Sequence, residues 1–161
     1  MSETADYKLV RNSSVGAELT EDEARILAEK LGERHLKEGE LLVSEGAADQ
    51  TLFILVAGTL TVLSADADGK ESLVYTMKEG ECAGTRAFVD RTPRKATLRA
   101  VGNATVYTLT PEDFESLLEA HPRLAFKVMR ALFRVTHANL SRMNQETQAL
   151  SNYINKTQGR Y

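Results

Sequence analysis

Residues 37–63 read KEGELLVSEGAADQTLFILVAGTLTVL, and they contain the clearest structural signal in the chain. Three short apolar runs, ELLV, TLFILV and TLTVL, are divided by glycines at Gly39, Gly46 and Gly58. Glycine supplies the positive φ that tight turns require. Short apolar runs that are separated by such turns predict β-strands rather than helices.

The same pattern continues to residue 110. ESLVYTM (residues 71–77) and KATLRAVGNATVYTLT (residues 95–110) are short segments rich in Val, Leu, Thr and Tyr, and Asp68-Gly69 is a hairpin signal. Regularly spaced short strands favour an all-β barrel over alternating β and α units. We therefore predict a mainly β fold with flanking helices: a double-stranded β-helix, or jelly-roll barrel, with an N-terminal helix and a long C-terminal helix.

Helices are predicted on both sides of the β region. LTEDEARILAEKL (residues 19–31) has a capping box at Thr20 and Glu23. In TPEDFESLLEAHP (residues 110–122), Thr110 can cap a second helix, and Pro122 opens a long third helix that reaches residue 144 or beyond. We thus expect a flexible, poorly ordered arm at residues 1–18, one domain at residues 19–144, and a polar tail at residues 145–161.

The long helix carries two apolar stripes at helical spacing. One comprises Leu124, Val128, Ala131, Val135 and Ala138, and the other comprises Ala125, Met129, Leu132, Thr136, Asn139 and Met143. Two stripes imply two packing partners, of which one is the barrel. The same helix of a second subunit is the expected partner of the other, which predicts a homodimer. The alternative is that both stripes face the chain's own core.

Composition places the protein in an ordinary class. The 161 residues are 42% hydrophobic and 27% charged, with a net charge of −3, so nothing global points to nucleic acid. No apolar run has the length of a membrane span, the N-terminus lacks signal-peptide features, and Cys82 is the single cysteine. These features predict a cytoplasmic protein with no membrane partner.

Catalytic signals are weak, so we expect no enzyme. The three histidines, His35, His121 and His137, are far apart and have no cysteine or carboxylate at metal-ligand spacing. The sequence has no Gly-x-Ser-x-Gly, His-Glu-x-x-His or Walker motif. We expect no metal site, and we interpret Cys82 as a small buried residue rather than a redox sensor.

Two regions are basic although the chain is acidic overall. Residues 85–99 contain five cations, namely Arg86, Arg91, Arg94, Lys95 and Arg99, against the single acid Asp90. The long helix has a row at Arg123, Lys127, Arg130 and Arg134. The first region is a candidate anion site. The second is expected to be a solvated face, with an acidic partner or nucleic acid as the alternative.

Taken together, the spaced motifs resemble the cyclic-nucleotide-binding domain, the sensor module of Crp/Fnr-type regulators, kinase regulatory subunits and nucleotide-gated channels. KEGELLVSEGAADQTLFILVAGTLTVL is similar to the opening of that domain, and PEDFESLLEAHPRLAFKVMRALF is similar to the helices that follow its barrel. GECAGTRAFVDRTPRKAT (residues 80–97) resembles its phosphate-binding cassette, and we call this segment the cassette. The resemblance covers about residues 20–140 and implies a regulatory module that binds a cyclic nucleotide.

Several cassette residues match the family's pattern. Gly84 stands where a ligand approaches the backbone closely, and backbone N–H groups of the following turn, at Thr85 to Ala87, are free to face an anion. Ala87 also fits. In the family, the arginine after the proline donates to the cyclic phosphate, and Arg94 after Pro93 holds that position here.

Other cassette residues depart from the pattern. Thr85 replaces the glutamate that, in the family, accepts a hydrogen bond from the ribose 2′-hydroxyl, a loss of about 1.5–3 kcal/mol. Lys95 replaces a small hydroxyl residue, Arg86 an apolar residue and Ala83 an aromatic one. If Arg86 and Lys95 reach the pocket, it should prefer a ligand more anionic than a cyclic monophosphate. If they face solvent, the pocket is a weakened version of the family's.

These features leave three functions open. The first is a sensor of an altered phosphorylated or anionic ligand, the second is a degenerate dimerisation or interaction module without ligand, and the third is a genuine cAMP or cGMP receptor.

In the family, the long helix reaches the nucleotide base at a position that falls near Asn139 here. The resemblance therefore implies that Asn139 contacts the base; alternatively, it sets helix register. Too few residues follow Leu140 for a helix-turn-helix domain, so we expect no DNA-binding domain in this chain. Its output would then pass to a downstream protein partner, or the chain is a fragment of a longer one.

Overall fold

The structure is a computed structural model that describes residues 5–158, with side chains described to residue 154. In chain order its elements are α1 (Tyr7–Arg11), α2 (Glu21–Lys30), β1 (Gly32–Leu36), β2 (Leu41–Val43), β3 (Leu52–Ala65), β4 (Glu71–Met77), β5 (Cys82–Ala83), α3 (Thr85–Asp90), β6 (Thr97–Leu109), α4 (Pro111–Ala120) and α5 (Pro122–Gln158).

The strands form one antiparallel sheet that rolls up around two long strands. Its order is β1-β6-β3-β4, with β2 also paired to β6 and β5 to β3. The pairing of β3 with β6 spans both halves of the roll, from Leu52 opposite Leu109 to Leu63 opposite Thr97. The predicted mainly β jelly roll with flanking helices and a long C-terminal helix is confirmed.

A sharp bend in β3 lets the same two strands serve both halves of the roll. The register between β3 and β6 shifts on either side of Ala57, next to Gly58, whose φ is 89°. A Cβ at Gly58 would lie 2.3 Å from the carbonyl oxygen of Asn103. Only glycine fits this position, as its place between the two apolar runs predicted.

Alternation along β3 divides the core into two clusters. Leu52 and Ile54 pack with the helices, while Phe53 and Leu55 point into the roll. This is the two-residue period of a strand that is buried on both faces. The helical cluster and the roll interior are therefore joined through one strand.

The helix caps follow the sequence signals. Thr20 and Glu23 form a reciprocal capping box at the start of α2. Thr110 accepts a hydrogen bond from the backbone N–H of Asp113, and Pro111 occupies the first turn of α4. The capping residues satisfy backbone donors that would otherwise lack partners.

Residues 5–18 differ from the poorly ordered arm that the sequence suggested. They contain α1, and three small apolar side chains, Ala5, Val10 and Val15, are buried in the helical core cluster. The backbone N–H of Ser14 also donates to the carbonyl of Gly80, over 2.8 Å. The polar composition of the segment was misleading because a few buried side chains suffice to hold it against the core. Residues 1–4 lie outside the described part.

Helix α5 is continuous through the segment that we had expected to be a separate polar tail, since it extends to Gln158. Ala125 and Leu132 of the second stripe are buried in the chain's own core, beside Leu124 and Val128 of the first. Over this part of the helix the structure therefore agrees with the alternative that both stripes face that core. The large apolar side chains that α5 leaves exposed form a third set: Phe126, Phe133, Leu140, Met143, Leu150, Tyr153 and Ile154.

The basic row on α5 is paired within the chain rather than only solvated. Lys127 Nζ lies 2.6 Å from a carboxylate oxygen of Glu23. Arg130 and Arg134 both approach Glu18, and the hydrogen bond from Arg134 lowers the pKa of that exposed carboxyl. These contacts pair three of the four cations of the row within the chain and connect α5 to residues of the N-terminal part.

Candidate ligand-binding cavity

A cavity of about 440 Å³ lies between the jelly roll, α3 and α5. The seven residues predicted for a ligand site all line it: Gly84, Thr85, Arg86, Ala87, Arg94, Lys95 and Asn139. Apolar side chains of the sheet, including Val43, Val62 and Leu98, form another part of its wall. Small-molecule sites are roughly 300–1,000 Å³ and mostly apolar, with a few convergent polar groups. The cavity therefore has the size and character of such a site.

Arg94 is the charged residue buried most deeply in this wall, with a side chain only 3% exposed. Its Nη2 donates to the carbonyl oxygen of Thr51 over 2.5 Å and to the carboxylate of Asp49 over 3.0 Å. Its Nη1 donates to the carbonyl of Gly84 over 3.4 Å, and its guanidinium lies 5.1 Å from the ring centroid of Phe53. Such partners offset the cost of burying a charge.

The contacts of Arg94 are incomplete. Its Nε atom is buried and has no hydrogen-bond partner among the residues that the structure describes. Leaving a charged donor unpaired is unfavourable, because its water of hydration has been removed without replacement. A small rearrangement that gives the guanidinium a further acceptor, such as an anion in the cavity, would therefore be favourable.

Asp49 is a member of the site that sequence reasoning missed. It lies in the loop between β2 and β3, and it accepts hydrogen bonds from the backbone N–H and the hydroxyl of Thr51 as well as from Arg94. Burial alone would raise the pKa of its carboxyl, but these hydrogen bonds outweigh burial and hold the pKa below its ordinary value. The Asp49 carboxylate thus already accepts one of the hydrogen bonds that the Arg94 guanidinium can donate.

Gly84 is required by the position of Arg94. Its φ is +84°, in the left-handed region that favours glycine. A Cβ at this position would lie 2.3 Å from Arg94 Nη1 and 3.0 Å from the carbonyl oxygen of Thr51. The cassette backbone can therefore pass over the guanidinium only because residue 84 has no side chain.

The substituted cassette residues take different positions around the cavity. Ala87 is buried and Thr85 is half-buried, with its hydroxyl 4.0 Å from the sulfur of Cys82. The Arg86 side chain is 68% exposed, and its Nε lies 3.9 Å from Asp90. Lys95 is exposed. The two added cations line the cavity and also reach solvent, so they form part of its rim.

The α5 side of the cavity combines polar and apolar side chains. Thr136, Asn139 and Arg142 line it from this helix. The guanidinium of Arg142 lies 4.3 Å from the ring centroid of Tyr75 on β4. The Tyr75 hydroxyl donates to Glu81 over 2.7 Å, and this hydrogen bond, together with burial, raises the pKa of Tyr75. A chain of contacts thus joins α5 to the sheet across the cavity.

Cys82 also lines the cavity, where it is half-buried on β5. Burial raises the pKa of its thiol to about 11. The thiol therefore stays protonated near neutral pH, where only a thiolate would be reactive.

The part of the chain described here holds no group of three or more His, Cys, Asp or Glu side chains placed to bind a metal ion. Within the same residues, none of the helices has the length and apolar character needed to cross a membrane.

The architecture is that of a jelly-roll domain with a small-molecule-sized cavity beneath a long helix. A family model described as the cyclic nucleotide-binding domain matches residues 33–121, which is more than half of the chain. The chain belongs to the cyclic nucleotide-binding domain family, whose domains are regulatory modules, as its motifs predicted.

Solved structures agree at the level of the fold. A cyclic nucleotide-binding domain from Methylobacillus flagellatus superposes with a TM-score of 0.82 at 18% identity, covering 91% of this chain and 86% of that one. The regulatory subunit of a cAMP-independent protein kinase A from Trypanosoma brucei gives a TM-score of 0.70 at 22% identity, covering 81% of this chain and 45% of that one.

Curated relatives are longer proteins. An uncharacterized ABC transporter ATP-binding protein of Mycobacterium tuberculosis is 31% identical over 84 residues, which are 52% of this chain and 26% of the relative. The chain spans about a fifth to a quarter of the length of the first relatives that it matches. The comparison therefore supports a shared domain. The activities of those longer proteins are not assigned to this chain.

Proposed function

We propose that this domain senses a phosphorylated small molecule, with the anionic group bound at Arg94, and transmits its presence through α5 to a protein partner. The role is regulatory binding and includes no bond-making step. The observation that carries the proposal is the buried guanidinium of Arg94 in the wall of an open 440 Å³ cavity.

The geometry supports Arg94 as the anion-binding group. A charged donor that is almost fully buried has a function or a partner that stabilises it, and here one donor atom lacks a partner. The planar guanidinium suits two oxygens of a phosphate, which accept hydrogen bonds side by side. Apolar wall residues such as Val62 and Leu98 would contact the organic part of the ligand.

Transmission through α5 follows from the lining of the cavity. Thr136, Asn139 and Arg142 line the cavity from α5, while Arg94 and the rest of the cassette form another part of its wall. A ligand between them contacts both walls and changes the relative free energy of α5 positions that close or open the cavity. We propose that α5 forms a homodimer and presents its altered position to the downstream partner.

The Asp49–Arg94 pair favours a second candidate. Because Asp49 and Thr51 already satisfy part of the guanidinium, the domain can be stable without a ligand and act as a dimerisation or interaction module. A cAMP or cGMP receptor is the third candidate, and the absence of a carboxylate at Thr85 argues against it.

A thermal-shift screen of phosphorylated compounds that includes cAMP and cGMP separates these candidates. Binding to the folded state raises Tm by mass action, so at least one compound should stabilise the wild type. Any responding compound is then titrated by calorimetry against Arg94→Lys, which keeps the charge and loses the planar fork. We expect affinity to fall about tenfold to a hundredfold.

Arg99→Lys is the matched control, because the Arg99 side chain is 40% exposed and pairs with Glu71 outside the cavity. This variant should bind like the wild type. If no compound shifts Tm at millimolar concentration, the sensor proposal is wrong and the interaction module remains. If Arg94→Lys binds as tightly as the wild type, the anion is bound elsewhere.

A further inference from the structure

The geometry points to a ligand with two or more negative charges on its phosphate groups, selected over a cyclic monophosphate by Lys95 together with Arg86. This inference rests on the proposed function, since it names the ligand class for the same cavity. A cyclic phosphodiester carries a single negative charge. A terminal phosphate carries about −1.5 to −2 at pH 7 and has three acceptor oxygens.

The charges that line the cavity are strongly unbalanced. Four cationic side chains line it, Arg86, Arg94, Lys95 and Arg142, against one carboxylate, that of Glu81. Both oxygens of Glu81 are occupied, one by the Tyr75 hydroxyl at 2.7 Å and the other by the backbone N–H of Lys78 at 2.6 Å. The lining therefore attracts anions, and its carboxylate offers little to a sugar hydroxyl.

Three of these four cations, Arg86, Arg94 and Lys95, belong to the cassette. Asp49 compensates Arg94 from outside the cavity, and Arg86 has only a distant contact with Asp90 at 3.9 Å. Lys95 has no ion pair or hydrogen bond with any residue that the structure describes. One anionic charge at Arg94 would leave Lys95 and most of the Arg86 charge uncompensated, whereas a second charge would be stabilised by both.

The neutral side chain of Thr85 also favours a ligand with more than one negative charge. At this point of the wall a carboxylate would repel a second phosphate charge, but the half-buried side chain is a neutral hydroxyl. The replacement thus removes a repulsive group at the place where Arg86 and Lys95 add attractive ones. These changes act together in favour of a more highly charged ligand.

The remaining wall defines the body of the ligand. Val62, Val74 and Leu98 from the sheet and Val135 from α5 give the cavity an apolar middle. The aromatic ring of Tyr75 lies at the same wall. An organic molecule with a flat or apolar part and a terminal phosphate or diphosphate, such as a linear nucleotide, fits this arrangement.

Calorimetric titrations at constant ionic strength test the inference. The probes are the 3′,5′-cyclic monophosphates, 5′-monophosphates and 5′-diphosphates of adenosine and guanosine. For at least one base, the linear forms should bind about tenfold or more tightly than the cyclic form. Lys95→Thr should remove most of this advantage and change the affinity for the cyclic form less than twofold. Lys70→Thr, in an exposed turn outside the cavity, removes the same charge and should change neither.

The outcomes separate this inference from the proposed function. Tighter binding of a cyclic form than of its linear counterparts would overturn the inference and leave the sensor intact. A linear preference that survives both Lys95→Thr and Arg86→Ala would overturn the role of these two residues. If none of the probes binds, both the sensor for nucleotides and its preferred charge are wrong.

Discussion

At the scale of single residues, the candidate site depends on the fit between Arg94 and Gly84. The guanidinium lies beneath the cassette backbone, with Nη1 within hydrogen-bond distance of the Gly84 carbonyl. Since a Cβ at residue 84 would overlap this nitrogen, the glycine and the arginine must be considered as one unit. A change at either position alters the place where an anion would bind.

Gly84→Ala tests this fit, and Gly69→Ala is its matched control. Both glycines have similar positive φ, +84° and +81°, but a Cβ at Gly69 meets no atom within 4 Å. The control should therefore cost about 1 kcal/mol of unfolding free energy from backbone strain alone. Gly84→Ala should cost more and should also abolish the ligand-induced Tm shift.

Equal unfolding free energies for the two variants, measured by denaturant titration, would show that Arg94 does not constrain residue 84.

Arg94 and Gly84 could be predicted from the sequence because both belong to one local motif with fixed spacing. Asp49 could not, because it is 45 positions from Arg94 in the chain and comes near it only when the sheet has rolled up. Its loop carried no signal beyond a single acidic residue.

At the scale of elements, α5 is where the structure differs most from what the sequence predicts, because its exposed apolar side chains, apart from Met143, follow neither of the two stripes. Phe126, Phe133 and Leu140 are spaced by seven residues, as are Met143 and Leu150, and all of these side chains are exposed. A heptad spacing is typical of a coiled-coil seam. We therefore assign the proposed dimer contact to this exposed set, which shares only Met143 with the second stripe.

Phe133→Glu should convert a dimer to a monomer, because it introduces a charge into the middle of the proposed seam. Leu118→Glu is the control, since Leu118 is also exposed but lies on α4. Sedimentation equilibrium should show a change of association state only for the first variant. A wild type that is already monomeric, or a Phe133→Glu variant that still dimerises, would contradict this assignment.

The helices themselves were predictable, whereas the function of their faces was not. Thr20, Thr110 and Pro122 marked helix starts through local capping chemistry. Periodicity alone does not show which wall a helix meets, so the sequence left open whether the stripe that contains Ala125 and Leu132 faces a partner or the chain's own core. Both stripes turned out to face one concave core over the first turns of α5.

At the scale of the whole molecule, the N-terminal segment completes the core. Ala5, Val10 and Val15 belong to the same cluster as Leu27 and Leu117. Glu18 and Glu23 in turn pair with the basic row of α5. The first part of the chain therefore stabilises the packing of α5, although its composition suggested an arm.

Val10→Ala and Leu9→Ala form a matched pair for this conclusion. Val10 is fully buried, whereas its neighbour Leu9 is 38% exposed. Loss of two buried methyl groups should reduce the unfolding free energy by about 2 kcal/mol at Val10 and much less at Leu9. Chemical denaturation measures both, and two equally small effects would mean that the segment does not pack as the structure shows.

The uninterrupted course of α5 to Gln158 has a mechanical consequence. At 1.5 Å per residue the helix is about 55 Å long, and the part beyond Met143 extends more than 20 Å past the cavity. A rigid rod pivoting by about 10° at the cavity would displace its far end by roughly 4 Å. If α5 pivots on ligand binding as proposed, its length would turn a small local adjustment into a displacement large enough for another protein to detect.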